Sequence, residues 1–326
     1  MTVSVGTLRA LQQIATPDGV FTIAAMDQRT ALKRLLNPGV DLPYAEIRAL
    51  KIDVARALSP HASGILLDPE FGAAECIASG ALAGRCGLIV SVEVSGYTTE
   101  GTGRLATLIP GWSVAKIKRM GAQAAKILIY YHPDEVQAAR RQRDLVARVL
   151  EDCRTWDLPL LVEAVSYPRA GQDAATFAAG KPSVVVRTAE ELAPLGFDIL
   201  KAEFPVDFSF FPDEAAAAAW CRKLDAASPM PWIVLSAGVD IDQFVPQVEI
   251  ACRNGASGFL AGRAIWKESV LLPARAARQT HLQTQAVANL QRCTDLAIAH
   301  ATPFQRKLGF PDGFSSFVSE GWYSAY

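Results

Sequence analysis

AAKILIYYHP (residues 124–133) is a short apolar run broken by one lysine, and DEVQAARRQRDLVARVLEDCRTW (residues 134–156) follows it with apolar and charged residues at three- and four-residue spacing. The first stretch reads as a buried strand and the second as an amphipathic helix with one face on that strand. The same unit recurs in both directions. Upstream lie FTIAAMDQR from Phe21, SGILLDPEFG from Ser63 and GLIVSVEVSG from Gly87. Downstream lie PLLVEAVSYP from Pro159, DILKAEFP from Asp198, PWIVLSAG from Pro231 and GFLAGR from Gly258. Eight strand–helix units, one per about 30 residues, predict an α/β fold, a (β/α)8 TIM barrel with additional C-terminal helices. An open, doubly wound parallel sheet is the rival architecture.

SVAKIKRMGAQAA and DEAAAAAWCRKLDAA read as outer helices, the alanine run 215–219 reflecting helix propensity. The chain is expected to be a single domain over 1–326, with the barrel core at about 18–270 and a C-terminal helical extension at 271–326 ending in the aromatic tail GWYSAY. RAGQDAATFAAGKPSVVVRT (residues 169–188) is expected to be a long loop after the fifth strand.

Composition excludes several classes. Half of the 326 residues are apolar and a fifth charged, which argues against disorder, and the net charge of -1 gives no general attraction to nucleic acid or anionic membranes. The six cysteines show no CxxC spacing and read as reduced thiols, and the four histidines form no HxH or HExxH zinc pattern. Neither GxGxxG nor GxxxxGK[ST] is present, so no nucleotide cofactor is expected. The N-terminus lacks a signal-peptide pattern and no apolar run approaches the roughly 20 residues that span a bilayer, which leads to the expectation of a cytoplasmic enzyme.

In a barrel the C-terminal strand ends build the site, and here they carry Asp27, Lys126, Glu163 and Lys201 inside apolar runs, where an unpaired ion costs several kcal/mol. Any one alone could be a buried salt bridge; several together point to chemistry. A lysine in a dry site beside a second ammonium is expected to release its proton more readily and attack a ketone, with Glu163 moving the protons. Lys201 as nucleophile and Lys126 as electrostatic neighbour is one assignment, and the reverse is chemically possible. The last two strands end in LSAGVD and LAGRAIW, where glycines let backbone amides approach an anion and Arg263 adds a fork of donors.

From Phe21 to Trp266 the chain resembles the class I tagatose-1,6-bisphosphate aldolases through AAMDQRTALKR, LLDPEFG, GWSVAKIKRMGAQAAKILIYY, DILKAEFPV, LSAGVD and GASGFLAGRAIW. The resemblance implies a metal-independent Schiff-base lyase that cleaves a ketose bisphosphate between C3 and C4, yielding dihydroxyacetone phosphate and an aldehyde phosphate. It implies Lys201 as the Schiff-base lysine, Glu163 as acid/base, Lys126 as the second active-site lysine and Asp27 and Gln28 as contacts to substrate hydroxyls. Leu235, Ser236, Gly262 and Arg263 would hold the C1 phosphate. The stretch MPWIVLSAGVDIDQF through GASGFLAGRAIW also resembles the 6-deoxy-6-sulfofructose-1-phosphate aldolases, and Thr30 stands where a glycine is expected after DQR in tagatose enzymes. What differs between the two families is the group on C6, for which Arg29 and Arg104 are the candidate cations, either of which could instead form a surface ion pair. A phosphosugar isomerase using Glu163 as base, or a regulatory sugar-phosphate sensor, are the alternatives outside the aldolases. The expected partner is a small sugar phosphate, and a homo-oligomer is possible.

Overall fold

The computed structural model describes residues 3–36, 42–101, 103–315, 317–324 and 326. Eight parallel strands close a barrel in sequence order: β1 (Phe21–Met26), β2 (Gly64–Leu67), β3 (Gly87–Ser91), β4 (Ala124–Tyr130), β5 (Leu160–Val165), β6 (Ile199–Glu203), β7 (Trp232–Leu235) and β8 (Gly258–Ala261). Each is one of the eight apolar runs. The ring is sealed by Phe21 of β1 in register with Gly258 of β8.

Side chains alternate along every strand. One set, including Ile65, Val90, Ile127, Val162, Leu200, Val234 and Phe259, packs outward against the helices. The other set points inward, with Ile23, Leu66, Ile89, Ala124, Leu161, Ile199, Ile233 and Leu260 forming an apolar layer. The floor is plugged by Leu8, Leu11 and Ile14, contributed by the helix Val5–Gln13 and its end, and by Phe304. Stepping two residues further along the strands from that layer exchanges hydrocarbon for Lys126, Glu163 and Lys201, and Asp27 and Glu93 lie four residues beyond Ile23 and Ile89. The period of two therefore lifts the ionisable groups onto one level at the C-terminal mouth.

One expectation changes. Residues 169–188 are not a long loop: Ala174–Leu192 is a helix, with Asp173 accepting from the Thr176 amide at its start. It holds Pro182 in its interior, and Val184, Val185 and Ala189 on its buried face. The segment from 271 onward, expected as a C-terminal helical extension, carries the helix Val287–His300, whose Leu290, Cys293 and Ala297 are fully buried in the main core. That helix packs on the helix Ile241–Arg253 and on β1 and β8, and so fills the outer layer where the barrel closes. In the tail, Ala325 lies outside the described residues, while the Tyr326 hydroxyl donates to Asp157 and accepts from the Gly6 amide at the barrel floor. All six cysteines are buried and unpaired. No helix among the described residues is long and apolar enough to cross a membrane.

Candidate active site

The mouth of the barrel opens into a cavity of about 330 Å³, within the range of small-ligand sites. Ten of the eleven residues singled out from sequence line it, all but Arg104: Asp27, Gln28, Arg29, Lys126, Glu163, Lys201, Leu235, Ser236, Gly262 and Arg263. At its base Glu163 bridges the two lysines, with Oε1 at 2.8 Å from Lys201 Nζ and Oε2 at 2.9 Å from Lys126 Nζ. β5 makes this possible by pairing Glu163 directly with Lys201 of β6 in register. Lys126 Nζ also meets Asp27 Oδ2 at 2.8 Å and Glu93 Oε1 at 2.6 Å. Its three protons are thereby committed to three carboxylates.

These contacts distinguish the two lysines. Burial alone would favour the neutral amine of Lys126, but Asp27, Glu163 and Glu93 outweigh it and hold its pKa well above the ordinary value. Burial likewise pushes the carboxyls of Asp27 and Glu163 up, and the ammoniums of Lys126 and Lys201 more than reverse this, leaving both below the usual carboxylate range. Of the two assignments left open by the sequence, this favours Lys126 as the charged neighbour over Lys126 as nucleophile, because carboxylates surround it and Glu163 stands between the lysines. Among the described residues Lys201 has a single ion-pair partner, Glu163.

Glu93 is the member of this cluster that sequence reasoning left out of the site. It lies beyond the end of β3 and is 4% exposed. Counting by twos from Ile89 through Ser91 would have placed it inward. Glu203 was missed as well: it follows Lys201 by two residues on β6, lines the cavity, accepts from the Ser166 amide and lies 3.4 Å from Lys181.

The opposite wall suits an anion. The helix Arg263–Val270 begins at the cavity, placing its positive dipole end there. Among the described residues Arg263 has no ion-pair or hydrogen-bond partner, and its guanidinium lies against Gly238, where a Cβ would come within 2.6 Å of Nη2. Gly238 has φ +86°, and the preceding Ala237 is also left-handed at φ +48°. At Gly262 a Cβ would meet the Gln28 amide nitrogen at 2.8 Å. The left-handed backbone calls for glycine at Gly238, while at Gly262 a Cβ would displace the flexible Gln28 amide.

The two candidate distal cations are placed differently from each other. Arg29 is 5% exposed, with Nη1 donating to Glu70 at 2.6 Å and Nη2 donating to the Glu93 carbonyl at 2.6 Å, so it is anchored rather than free. Arg104 is not part of the cavity lining. It sits on the hairpin formed by Thr98–Glu100 and Gly103–Leu105, its guanidinium 4.6 Å from the Tyr97 ring and 4.8 Å from the Tyr167 ring. Among the described residues no group of three or more His, Cys, Asp or Glu side chains is arranged to hold a metal ion.

Comparison with known proteins agrees with this architecture. The barrel aldolases share the fold: an archaeal fructose 1,6-bisphosphate aldolase superposes with a TM-score of 0.60 at 19% identity, covering 90% of this chain and 99% of that one. Fructose-bisphosphate aldolase from Plasmodium falciparum does so at 0.70 and 13%, covering 93% and 98%. The profile of the DeoC/LacD family aldolases matches residues 21–268, and the chain belongs to that family. Tagatose 1,6-diphosphate aldolase 1 of Streptococcus mutans is 32% identical over 91% of this chain and 97% of its own length. Tagatose 1,6-diphosphate aldolase 2 of Enterococcus faecalis is 32% identical over 96% and 100%.

Proposed function

We propose that this chain is a class I, metal-independent aldolase that cleaves a ketohexose 1-phosphate bearing a second anion at C6, foremost tagatose 1,6-bisphosphate, to dihydroxyacetone phosphate and glyceraldehyde 3-phosphate. The observation that carries the reading is the bridge of Glu163 between two lysines, one saturated by carboxylates and the other not. An amine must lose its proton to attack a ketone. Lys201 can pass one to Glu163 across 2.8 Å, whereas Lys126 is held as a permanent cation.

The C1 phosphate docks on Arg263 and the backbone around Leu235, Ser236 and Gly262, which brings the C2 ketone over Lys201. The Lys201 amine adds to C2, and the carbinolamine oxygen leaves as water after receiving a proton from Glu163, giving an iminium. Glu163, again a carboxylate, takes the proton of the C4 hydroxyl. The C3–C4 bond then breaks, its electrons flow into the iminium to form an enamine, and the C4 fragment departs as the aldehyde. Protonation at C3 and hydrolysis release dihydroxyacetone phosphate and restore the lysine. Glu163 is suited to both directions of transfer because its affinity for protons follows the charge on Lys201, rising whenever that nitrogen is neutral. Lys126 keeps a fixed positive charge beside these steps, and Asp27 and Gln28 orient the substrate hydroxyls.

A coupled assay for triose phosphate release, run on tagatose 1,6-bisphosphate, fructose 1,6-bisphosphate, fructose 1-phosphate and 6-deoxy-6-sulfofructose 1-phosphate with and without EDTA, tests the proposal. The expected result is fastest release from tagatose 1,6-bisphosphate, indifferent to EDTA. Fastest release from the sulfonate overturns the C6 assignment, and turnover without triose phosphate, or binding without turnover, overturns the aldolase reading.

A further inference from the structure

The helix Tyr44–Leu58 lies outside the barrel, and Ile47, Leu50, Val54, Ala55 and Leu58 form its buried face. In the middle of that face, where the pattern asks for another aliphatic side chain, stands Lys51, with no exposed surface. Its ammonium donates to the Met26 carbonyl at 2.6 Å and the Gln28 carbonyl at 2.9 Å, and pairs with Asp68 Oδ2 at 2.6 Å. Asp68 is also fully buried, and its Oδ1 accepts from the Phe71 amide.

The positions of the three acceptors matter. The β1–β2 ladder runs out at the pairing of Met26 with Leu67, just where the chain must present Asp27 and Gln28 to the cavity. Beyond that point no strand neighbour fixes the backbone, and carbonyls there need another donor. Lys51 supplies it to the residues on both sides of Asp27, while Asp68 ties the ammonium to the end of β2. The Asp27 carboxylate so placed meets Lys126 at 2.8 Å, Lys126 meets Glu163 at 2.9 Å, and Glu163 meets Lys201 at 2.8 Å. A continuous run of contacts therefore leads from an outer helix to the nucleophile of the proposed reaction.

We propose that Lys51 is a positioning residue for that reaction, fixing with Asp68 the backbone either side of Asp27 and thereby the placement of Lys126 and Glu163. This rests on the Schiff-base reading above. A buried ion pair with only a structural role has a recognisable behaviour: removing one partner is costly, but neutralising both is nearly harmless. A positioning role predicts that neutralising both restores the part of the stability lost at Asp68 without restoring turnover.

The test compares the wild type with Lys51→Met and with the double variant Lys51→Met/Asp68→Asn, in which the asparagine oxygen keeps the Phe71 amide bond. Thermal melting, kcat, KM and borohydride trapping with dihydroxyacetone phosphate are measured on each. The expected result is a double variant that melts above Lys51→Met but below the wild type, because the Met26 and Gln28 carbonyls still lack their donor, and that keeps KM within about threefold, since the anion wall is untouched, yet loses about 30–100-fold in kcat, the scale of a misplacement near 1 Å. A double variant with wild-type kcat overturns the proposal. Should it melt below the assay temperature, Lys51→Gln, which keeps amide donors, replaces it: kcat down several-fold at constant KM supports the role, and unchanged kcat overturns it. Absence of a borohydride adduct in the wild type overturns instead the Schiff-base reading, so the two failures are distinguishable.

Discussion

Replacing Lys126 by methionine is the perturbation whose outcome follows most fully from the geometry. The side chain is 1% exposed and its ammonium is shared by Asp27, Glu93 and Glu163 at 2.6–2.9 Å. Breaking a buried pair by removing one partner costs about 3–5 kcal/mol at neutral pH. With an unfolding entropy of about 2.1 cal/mol/K per residue over a chain of 326, that lowers Tm by about 4–7 °C. The pH dependence is more diagnostic. In the wild type the depressed carboxyls of Asp27 and Glu163 contribute stability that is present above their unfolded pKa values and lost as pH falls through the folded ones. The raised Lys126 contributes stability that is present below its unfolded pKa and lost as pH rises through its folded pKa. The cluster is therefore fully stabilising between about pH 5 and 9. In Lys126→Met burial prevails and the carboxyls move up, so protonation relieves the strain and the deficit shrinks as pH falls from 8 to 5. Thermal melts of both proteins across that range check it. A deficit that stays constant, or grows toward acid, would refute the idea that Lys126 is held by ionised carboxylates.

Other outcomes follow from single contacts. Gly238→Ala forces the Arg263 guanidinium away from a Cβ at 2.6 Å. Losing one charge-assisted bond to phosphate should raise KM, and the inhibition constant of inorganic phosphate, about 10–100-fold with kcat nearly unchanged; unchanged phosphate inhibition would remove Arg263 from the anion site. At the barrel floor burial pushes the Asp198 carboxyl up to about 6. The fold thus bears a penalty that grows as pH rises from about 4 to 6 and is complete above that, worth about 2–3 kcal/mol. Asp198→Asn should raise Tm by several degrees at pH 8 and by progressively less toward pH 5, and a gain independent of pH in melting curves would contradict the assignment.

The sequence made the strands legible because each is a short apolar run, and the alternation of side chains then fixed which ionisable residues share the mouth. Lys126, Glu163 and Lys201 stood out because each interrupts such a run. Glu93 did not, since Ser91 already interrupts the apolar run and the strand ends there, two residues before it. The helix Ala174–Leu192 was hidden by Gly180 and Pro182, which break helices in isolation, while here the packing of Val185, Val186 and Ala189 into the main core outweighs that local cost. Lys51 was invisible for a different reason: its partners Met26, Gln28 and Asp68 are remote in sequence, and a lone lysine on a helix reads as solvated. Sequence left the roles of Lys126 and Lys201 exchangeable, because the carboxylates that surround Lys126 are remote from it in the chain. Arg29 and Arg104 could be nominated but not separated, since their difference lies in tertiary partners, Glu70 and the Glu93 carbonyl for one and two tyrosine rings for the other.

The central claim is that Lys201, and not Lys126, forms a covalent imine with the ketone. Borohydride reduction of the protein with dihydroxyacetone phosphate, followed by mass spectrometry of the proteolytic peptides, addresses it directly. The account predicts a reduced adduct on the peptide containing Lys201, its absence in Lys201→Ala, and no adduct at Lys126 in either protein. An adduct on Lys126, or none anywhere while triose phosphate is still released, would contradict it.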